Sequence, residues 1–373
     1  MDAGEFASDY YKVTGQLSED ERAELPSYEK FLPQEEEQNF LIDSGEAAHP
    51  PPPPSHIHVD SNFYLDGIIN RLNLPSAYAA YRLGGSITVD GRNAIVRVNR
   101  KVFAPSMSTI HRYKRGSDDS YLNGLIPPIM PRRRVKRAIY LRHQHEFNYY
   151  HFICEIAPRI GYANSLGLPN DLPVVVAARV AEKPFFKAVA DRLLQGREVI
   201  IQKRRETIVA EELFFLRVAL DVRLHIDPFI GNVESVDPGL GSPQRVLLRR
   251  EADVIGHRRL SNFDKLEARL TAAGYISVDP AVLSVQQQKH LFEHAKSVVT
   301  EYGAGLTNLV FGRPGLRIDA LNLSRRYTTT FPPLAEAFGV DLHVHTVASQ
   351  HQGDWLTGDL SDTLIDKLAG ITH

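Results

Sequence analysis

Apolar positions along the chain fall into short runs and helical stripes that alternate from about residue 135 onward. "AIYLRH" (138–143) has the length and composition of a strand. "LPVVVAAR" (172–179) is continuously apolar between turn residues, as in a parallel strand buried on both faces. Between these lies a helical segment that opens at 148. "EKPFFKAVADRLL" (182–194) places Phe185, Phe186, Val189, Ala190, Leu193 and Leu194 on one helical face. "REVIIQ" (197–202) is a strand again, and 206–225 predicts one or two more. Upstream, "SITVDGRNAIVRVN" (86–99) carries Asp-Gly between β-rich runs, a hairpin signal within a β-containing lead-in.

The loop-like "VESVDPGLGSPQ" (233–244) interrupts this order, and the alternation then restarts. Strands are expected at 245–250, in "YISVD", at 297–299, in "LRIDALN" and, last, in "DLHVHTV". Helices are expected at 262–274, closed by Gly274, and at 284–296, opened by a Ser cap. Further helices are expected in "LTNLVFG", in "RYTTTFPPLAEAFG" and over 354–370. Two successive βαβα units predict an α/β fold of two Rossmann-like doubly wound domains, each a parallel sheet with helices on both faces, facing each other across a cleft. The expected domains are 56–235 and 236–373. Residues 1–55 hold "LSEDERAELP", "PQEEEQ" and "HPPPPPS", which predict a flexible or extended acidic, proline-rich arm with one short helix.

The 373 residues carry a net charge of −2, which excludes a global field for nucleic acid. "PRRRVKR" (131–137) is a local basic run, read as a solvated lead-in to a strand. The single cysteine, Cys154, excludes an intramolecular disulfide and a multi-cysteine zinc site, and reads as a small core residue. No apolar run approaches the ~20 residues of a membrane span, and the acidic start "MDAGEFASDYYK" is not a secretory signal. A cytoplasmic protein is expected, with room for a peripheral contact at the inner membrane.

"NYYHFICEIAPR" (148–159) carries the first chemistry. At roughly 100° per residue, Asn148, His151, Glu155 and Arg159 fall within an arc of about 60°. Tyr149, Ile153, Ile156 and Ile160 share a neighbouring face. Pro158 should bend or end the helix. The stripe sets an imidazole one turn before a carboxylate, with Glu155 the favoured general base, His151 orienting it, and Asn148 and Arg159 supporting the acceptor. The two catalytic roles are exchangeable. Burial should raise the Glu155 pKa, and Arg159 should oppose that.

"TEYGAGLTNLVFGRPG" (300–315) runs from a strand through Gly303, Ala304 and Gly305 into a helix, which makes an anion site of backbone N–H groups. Thr307 and Asn308 are candidate side-chain donors. The stretch fits neither the dinucleotide fingerprint nor a Walker A loop, which argues against a Rossmann oxidoreductase. "LLRREADVIGHRRLSN" (247–262) adds Arg249, Arg250, Arg258 and Arg259, suited to diphosphate oxygens. "HPPPPPSHIHVD", "RHQHE" and "DLHVHT" read as structural or surface histidines rather than ligands; His145–Glu146 is the one pairing with an adjacent carboxylate.

Taken in order, "NYYHFICEIAPRI", "LLRREA…RRLSN" and "GAGLTNLVFGRPG" resemble glycosyltransferase family 61 over roughly residues 138–322. The resemblance implies a GT-B fold, a nucleotide-sugar donor (UDP favoured), inversion at the anomeric carbon and no metal or other cofactor. It implies a glycan or glycoconjugate acceptor, with bacterial members serving surface polysaccharide assembly. By position, His151 and Glu155 match the family's catalytic pair and Arg249 its strand-end arginine. The stretch Glu301, Tyr302, Gly303, Ala304, Gly305, Leu306, Thr307 and Asn308 covers its donor turn. Tyr302 departs from the pattern, since many members have His there. A non-catalytic nucleotide- or glycan-binding scaffold is the alternative from another class.

Overall fold

The computed structural model describes residues 34–47, 57–59, 76–106, 131–143, 145–218, 223–249, 258–323, 331–352 and 355–370. The chain divides into two units. The first contains α1 (Gln34–Gln38) and β1 (Leu41–Ala47), then resumes at Ser76. The second contains β2 (Ile57–Val59) and the described chain from Arg223 onward.

The sheet of the first unit adds β3 (Ser76–Asp90), β4 (Val96–Val98), β5 (Lys101–Val102), β6 (Arg132–Tyr140), β7 (Val174–Ala177), β8 (Val199–Gln202) and β9 (Thr207–Arg217). Its order is β5-β4-β3-β9-β6-β7-β8, with β1 also on β3. Strands β9, β6, β7 and β8 are parallel. In chain order, β8-β7-β6-β9 is the 3-2-1-4 arrangement of a doubly wound sheet, which reverses direction between β6 and β9. The all-parallel expectation fails on the other side. The long β3 runs antiparallel to β9, and β1 and β4 pair antiparallel with it. The Asp90-Gly91 hairpin between β3 and β4 is as expected.

Residues 34–47 also differ from the expected arm. β1 pairs with β3, Tyr162 donates to Asp43 Oδ2 at 2.6 Å, and Glu37 is buried. Acidic composition hid a strand whose partner lies elsewhere in sequence. The rest of the expected arm lies outside the described residues. Helices α2 (Pro158–Ser165), α3 (Ala178–Ala181) and α4 (Pro184–Leu194) complete the unit. Residues 206–225 hold one strand, β9, and then the start of α5 (Arg223–Gly231). That helix falls in the second unit, so the division comes before the expected 235/236 boundary. Pro228 inside α5 had masked its helical pattern.

The second unit has β10 (Arg245–Leu248), β11 (Arg258–Leu260), α6 (Phe263–Ala272), β12 (Ile276–Val278), α7 (Val285–His294), β13 (Ser297–Glu301), a 3₁₀ helix (Ala304–Phe311), β14 (Arg317–Asn322), α8 (Phe331–Phe338) and β15 (Asp341–Thr346). Its main sheet, β12-β10-β13-β14-β15-β2, is wholly parallel. The first five strands follow the 2-1-3-4-5 order, with the switch point between β10 and β13. These two strands are buried on both faces after their first residue, as their apolar runs require. Ser284 and Gln287 form a capping box on α7, and Gly274 closes α6 at φ +85°. β15 is not the last strand. β16 (Ser349–Gln352) and β17 (Trp355–Gly358) form a hairpin that joins β11 in a separate small sheet, and α9 (Asp362–Leu368) follows.

Candidate active site

β6 ends at Tyr140 beside the switch point of its sheet, where ligands of doubly wound proteins collect. The loop after it is held by a buried ion pair. Arg142 donates through Nε to Glu146 Oε2 at 2.8 Å and through Nη2 to Glu146 Oε1 at 2.9 Å. Its remaining donors reach Gln202 and the Gly91 carbonyl. Glu146 also accepts from Arg179 and from the backbone N–H of His143. The carboxylate read as a neighbour of His145 is therefore turned into the protein, and it fixes the loop that presents His143.

The segment from His151 to Ile156 is a π-helical turn; the Ala157 N–H bonds to the Phe152 carbonyl, five residues back. Such turns are rare and frequent at functional sites. Pro158 does not end the helix but occupies the first turn of α2, where its missing N–H is tolerated. Phe152, Ile153, Cys154, Ile156 and Ile160 are buried, which anchors the turn and confirms Cys154 as a core residue. Asn148 accepts from the Tyr150 N–H and so caps the helix start. Arg159 is buried beside the Tyr140 and Phe215 rings and donates to the Glu155 and Arg142 carbonyls. Both residues therefore brace the site.

Glu155 Oε2 stands 2.8 Å from His151 Nδ1 and 3.1 Å from His143 Nε2. Burial pushes the Glu155 carboxyl up, but His151, His143 and Arg159 together hold it at about 2. The expected rise is overturned, because a second histidine joins the first. His143 is held neutral, well below the usual imidazole range, chiefly by burial. The His145 N–H donates to its Nδ1 at 3.1 Å, so its proton lies on Nε2, the nitrogen 3.1 Å from Glu155 Oε2. An ionised Glu155 likewise keeps a proton on His151 Nδ1, leaving His151 Nε2 as the basic atom. His151 has the most exposed side chain of the three, at 25%. The geometry therefore suits Glu155 to orienting an imidazole and His151 Nε2 to accepting a proton. A pure sequence reading missed His143, although "RHQHE" marked its neighbourhood.

In the second unit, the glycine turn and Arg249 both leave carboxyl ends that flank the β10/β13 switch point. Gly303, Ala304 and Gly305 are partly exposed, as is Arg249 more fully, its N–H bonded to the Val278 carbonyl. Leu306, Thr307 and Asn308 are fully buried. Asn308 donates to Gln288 Oε1 at 2.7 Å and to the Gly305 carbonyl, so its amide fastens the turn to α7. Tyr302 is buried edge-on to Phe331, and Glu301 is buried beside it. Arg250 lies outside the described residues. Arg258 and Arg259 belong to β11, paired with Leu356 and Thr357 in the small sheet, rather than to a loop at the end of β10.

Two α/β units, each with polar groups gathered at a strand-order reversal, have the plan of doubly wound proteins, which bind ligands at that position. Residues 149–318 match the family Glycosyltransferase 61, which bears out the resemblance and points to glycosyltransferase activity with a sugar donor and an acceptor. No curated protein matches the chain. Among the described residues, no helix is long and apolar enough to cross a membrane.

Proposed function

We propose that the protein is an inverting glycosyltransferase that moves a sugar from a nucleotide-sugar donor, UDP-linked by family likeness, to a hydroxyl of a glycan or glycoconjugate. The GT-B plan and a role in surface polysaccharide synthesis belong to this reading. The observation that carries it is the cluster after β6 in which Glu155 is hydrogen-bonded to His151 and lies 3.1 Å from His143 Nε2. His151 Nε2 takes the proton of the acceptor hydroxyl as its oxygen attacks the anomeric carbon, and the donor's bond to the diphosphate breaks. Glu155 holds the imidazole in the tautomer that leaves Nε2 free and stabilises the imidazolium that forms, as in other histidine–carboxylate pairs. The backbone N–H groups of the Gly303–Gly305 turn and Arg249 take up the charge that develops on the leaving diphosphate. No metal is assigned to this chemistry. A divalent ion on the triad would have to displace the proton that His143 holds on Nε2.

A donor screen by thermal shift, followed by transfer assays with the stabilising nucleotide sugar, tests the reading. Arg249→Ala should weaken nucleoside diphosphate binding by about 1.5–3 kcal/mol and leave nucleoside binding nearly unchanged. Binding of a nucleotide with neither transfer nor donor hydrolysis would replace the enzyme with a scaffold.

A further inference from the structure

The face of the second sheet that packs apolar residues against α6 and α9 at β10 and β13 turns polar toward β14, β15 and β2. Leu247, Val299 and Leu321 share a core with Leu266, Leu270 and Ile365. Along the same face, cross-strand register sets Arg317 beside Asp341, Asp319 beside His343, and His343 beside His58.

This ladder sorts itself into two groups. Arg317 makes a two-point bond to Asp319 at 2.8 and 3.0 Å, and His345 Nε2 lies 2.8 Å from the same carboxylate. The Arg317 charge is thereby balanced. Asp341 is left with two imidazoles: His343 Nε2 is 3.1 Å from Oδ2, and His58 Nε2 is 3.2 Å from Oδ1. The two rings lie parallel, with centroids 4.1 Å apart. Oδ1 of Asp341 is shielded from solvent and makes no hydrogen bond among the described residues, despite the nearby His58 nitrogen. A buried oxygen left in that condition calls for a partner.

We propose that His58, Asp341 and His343 form a site for a divalent cation of the zinc class, which clips β2 to β15. Two imidazole nitrogens and one carboxylate oxygen are a common zinc set that leaves a position open to water. One ligand atom from each residue lies within 4.8 Å of the others. Ligand bonds of about 2.0–2.2 Å put neighbouring donors of a tetrahedral ion roughly 3.4 Å apart, and each imidazole nitrogen stands 3.1–3.2 Å from one of the two Asp341 oxygens. Asp341 supplies the anionic ligand, and His58 is exposed enough to admit an ion. The site lies at the amino end of β15, whereas the glycine turn follows the carboxyl end of β13 in the same parallel sheet, so the role is structural. The three-residue β2 has few backbone bonds of its own, which gives a clip something to do.

The test uses the full chain without a histidine tag, loaded with ZnCl2, desalted and assayed for bound zinc by mass spectrometry. The wild type should retain an equivalent of zinc that His151→Ala keeps and that His58→Gln and His343→Gln both lose. Zinc should raise the wild-type Tm by roughly 3–8 °C and leave that of His58→Gln unmoved. His58 is exposed, so its variant should fold even if His343→Gln does not, with circular dichroism as the check. A wild type that retains no zinc overturns the proposal. So does zinc that survives in His58→Gln, or zinc that disappears only in His151→Ala. Sugar transfer is not required for any of these readouts, so the site stands or falls apart from the enzymatic reading.

Discussion

At residue scale, the informative atom is His151 Nε2, because the other three ring nitrogens of the cluster have partners. His151→Ala should lower kcat by a factor on the order of 10²–10⁴ with donor binding intact. Glu155→Gln should also lower kcat, through loss of the tautomer and of imidazolium stabilisation. A pH profile separates base from orienter. With Glu155 ionised down to about 2, transfer should show no inflection at about pH 4–5, where an ordinary carboxyl titrates. An inflection there that disappears in Glu155→Gln would return the base role to the carboxylate. The same depressed pKa has a stability consequence. A carboxyl lowered in the folded state contributes stability that is complete above its unfolded value of 4.5 and is lost as pH falls toward 2. Asp319, also held at about 2 against burial by His345 and Arg317, acts in the same window. Urea titrations between about pH 5 and pH 2 should therefore show a shallower acid loss in Glu155→Gln and Asp319→Asn than in the wild type.

At the scale of elements, the hairpin tip at Gly91 holds more than its own strands. A Cβ there would press inside van der Waals contact of the Lys203 and Glu206 carbonyls, which are backbone atoms with little freedom to yield. The Gly91 carbonyl also accepts from Arg142. Gly91→Ala should cost at least about 2 kcal/mol by denaturant unfolding and should reduce transfer, since the His143 loop loses part of its mooring. The stripe on 148–159 was legible because His151 and Glu155 sit four residues apart on one helix, a relation that periodicity exposes. The glycine turn was legible because a strand, two glycines and a helix follow one another without a gap. His143 was not, because it comes from the strand end, and its relation to Glu155 depends on a loop folded around a buried ion pair. Nor was its tautomer, which is fixed by a backbone N–H two residues on. Pro158 was misread because its effect depends on which turn of a helix it enters.

For the whole molecule, parallel runs were legible and antiparallel or borrowed strands were not. Central strands such as β7 and β13 are apolar on both faces and declare themselves. β1 is polar on one side, and it becomes a strand only because β3 offers an edge. Deleting residues 1–47 removes that pairing and the Asp43 acceptor of Tyr162, so it should lower Tm by several degrees in calorimetry. An unchanged Tm would return this segment to the flexible-arm reading. On the proposed reading the base and the diphosphate turn belong to different units, so neither unit alone should transfer sugar.

The path of the chain has a consequence for its manufacture. It contributes β1 to the first unit, β2 to the second, and then returns to the first for β3. On the ribosome, β2 emerges early, but β15, its strand partner among the described residues, is among the last strands to be made. At usual rates of synthesis the early strand waits roughly tens of seconds for its partner. The first unit can close in that interval, so it must do so with the β2 segment already looped out. Completion of the second sheet is then a late, long-range event that a chaperone can delay or guard.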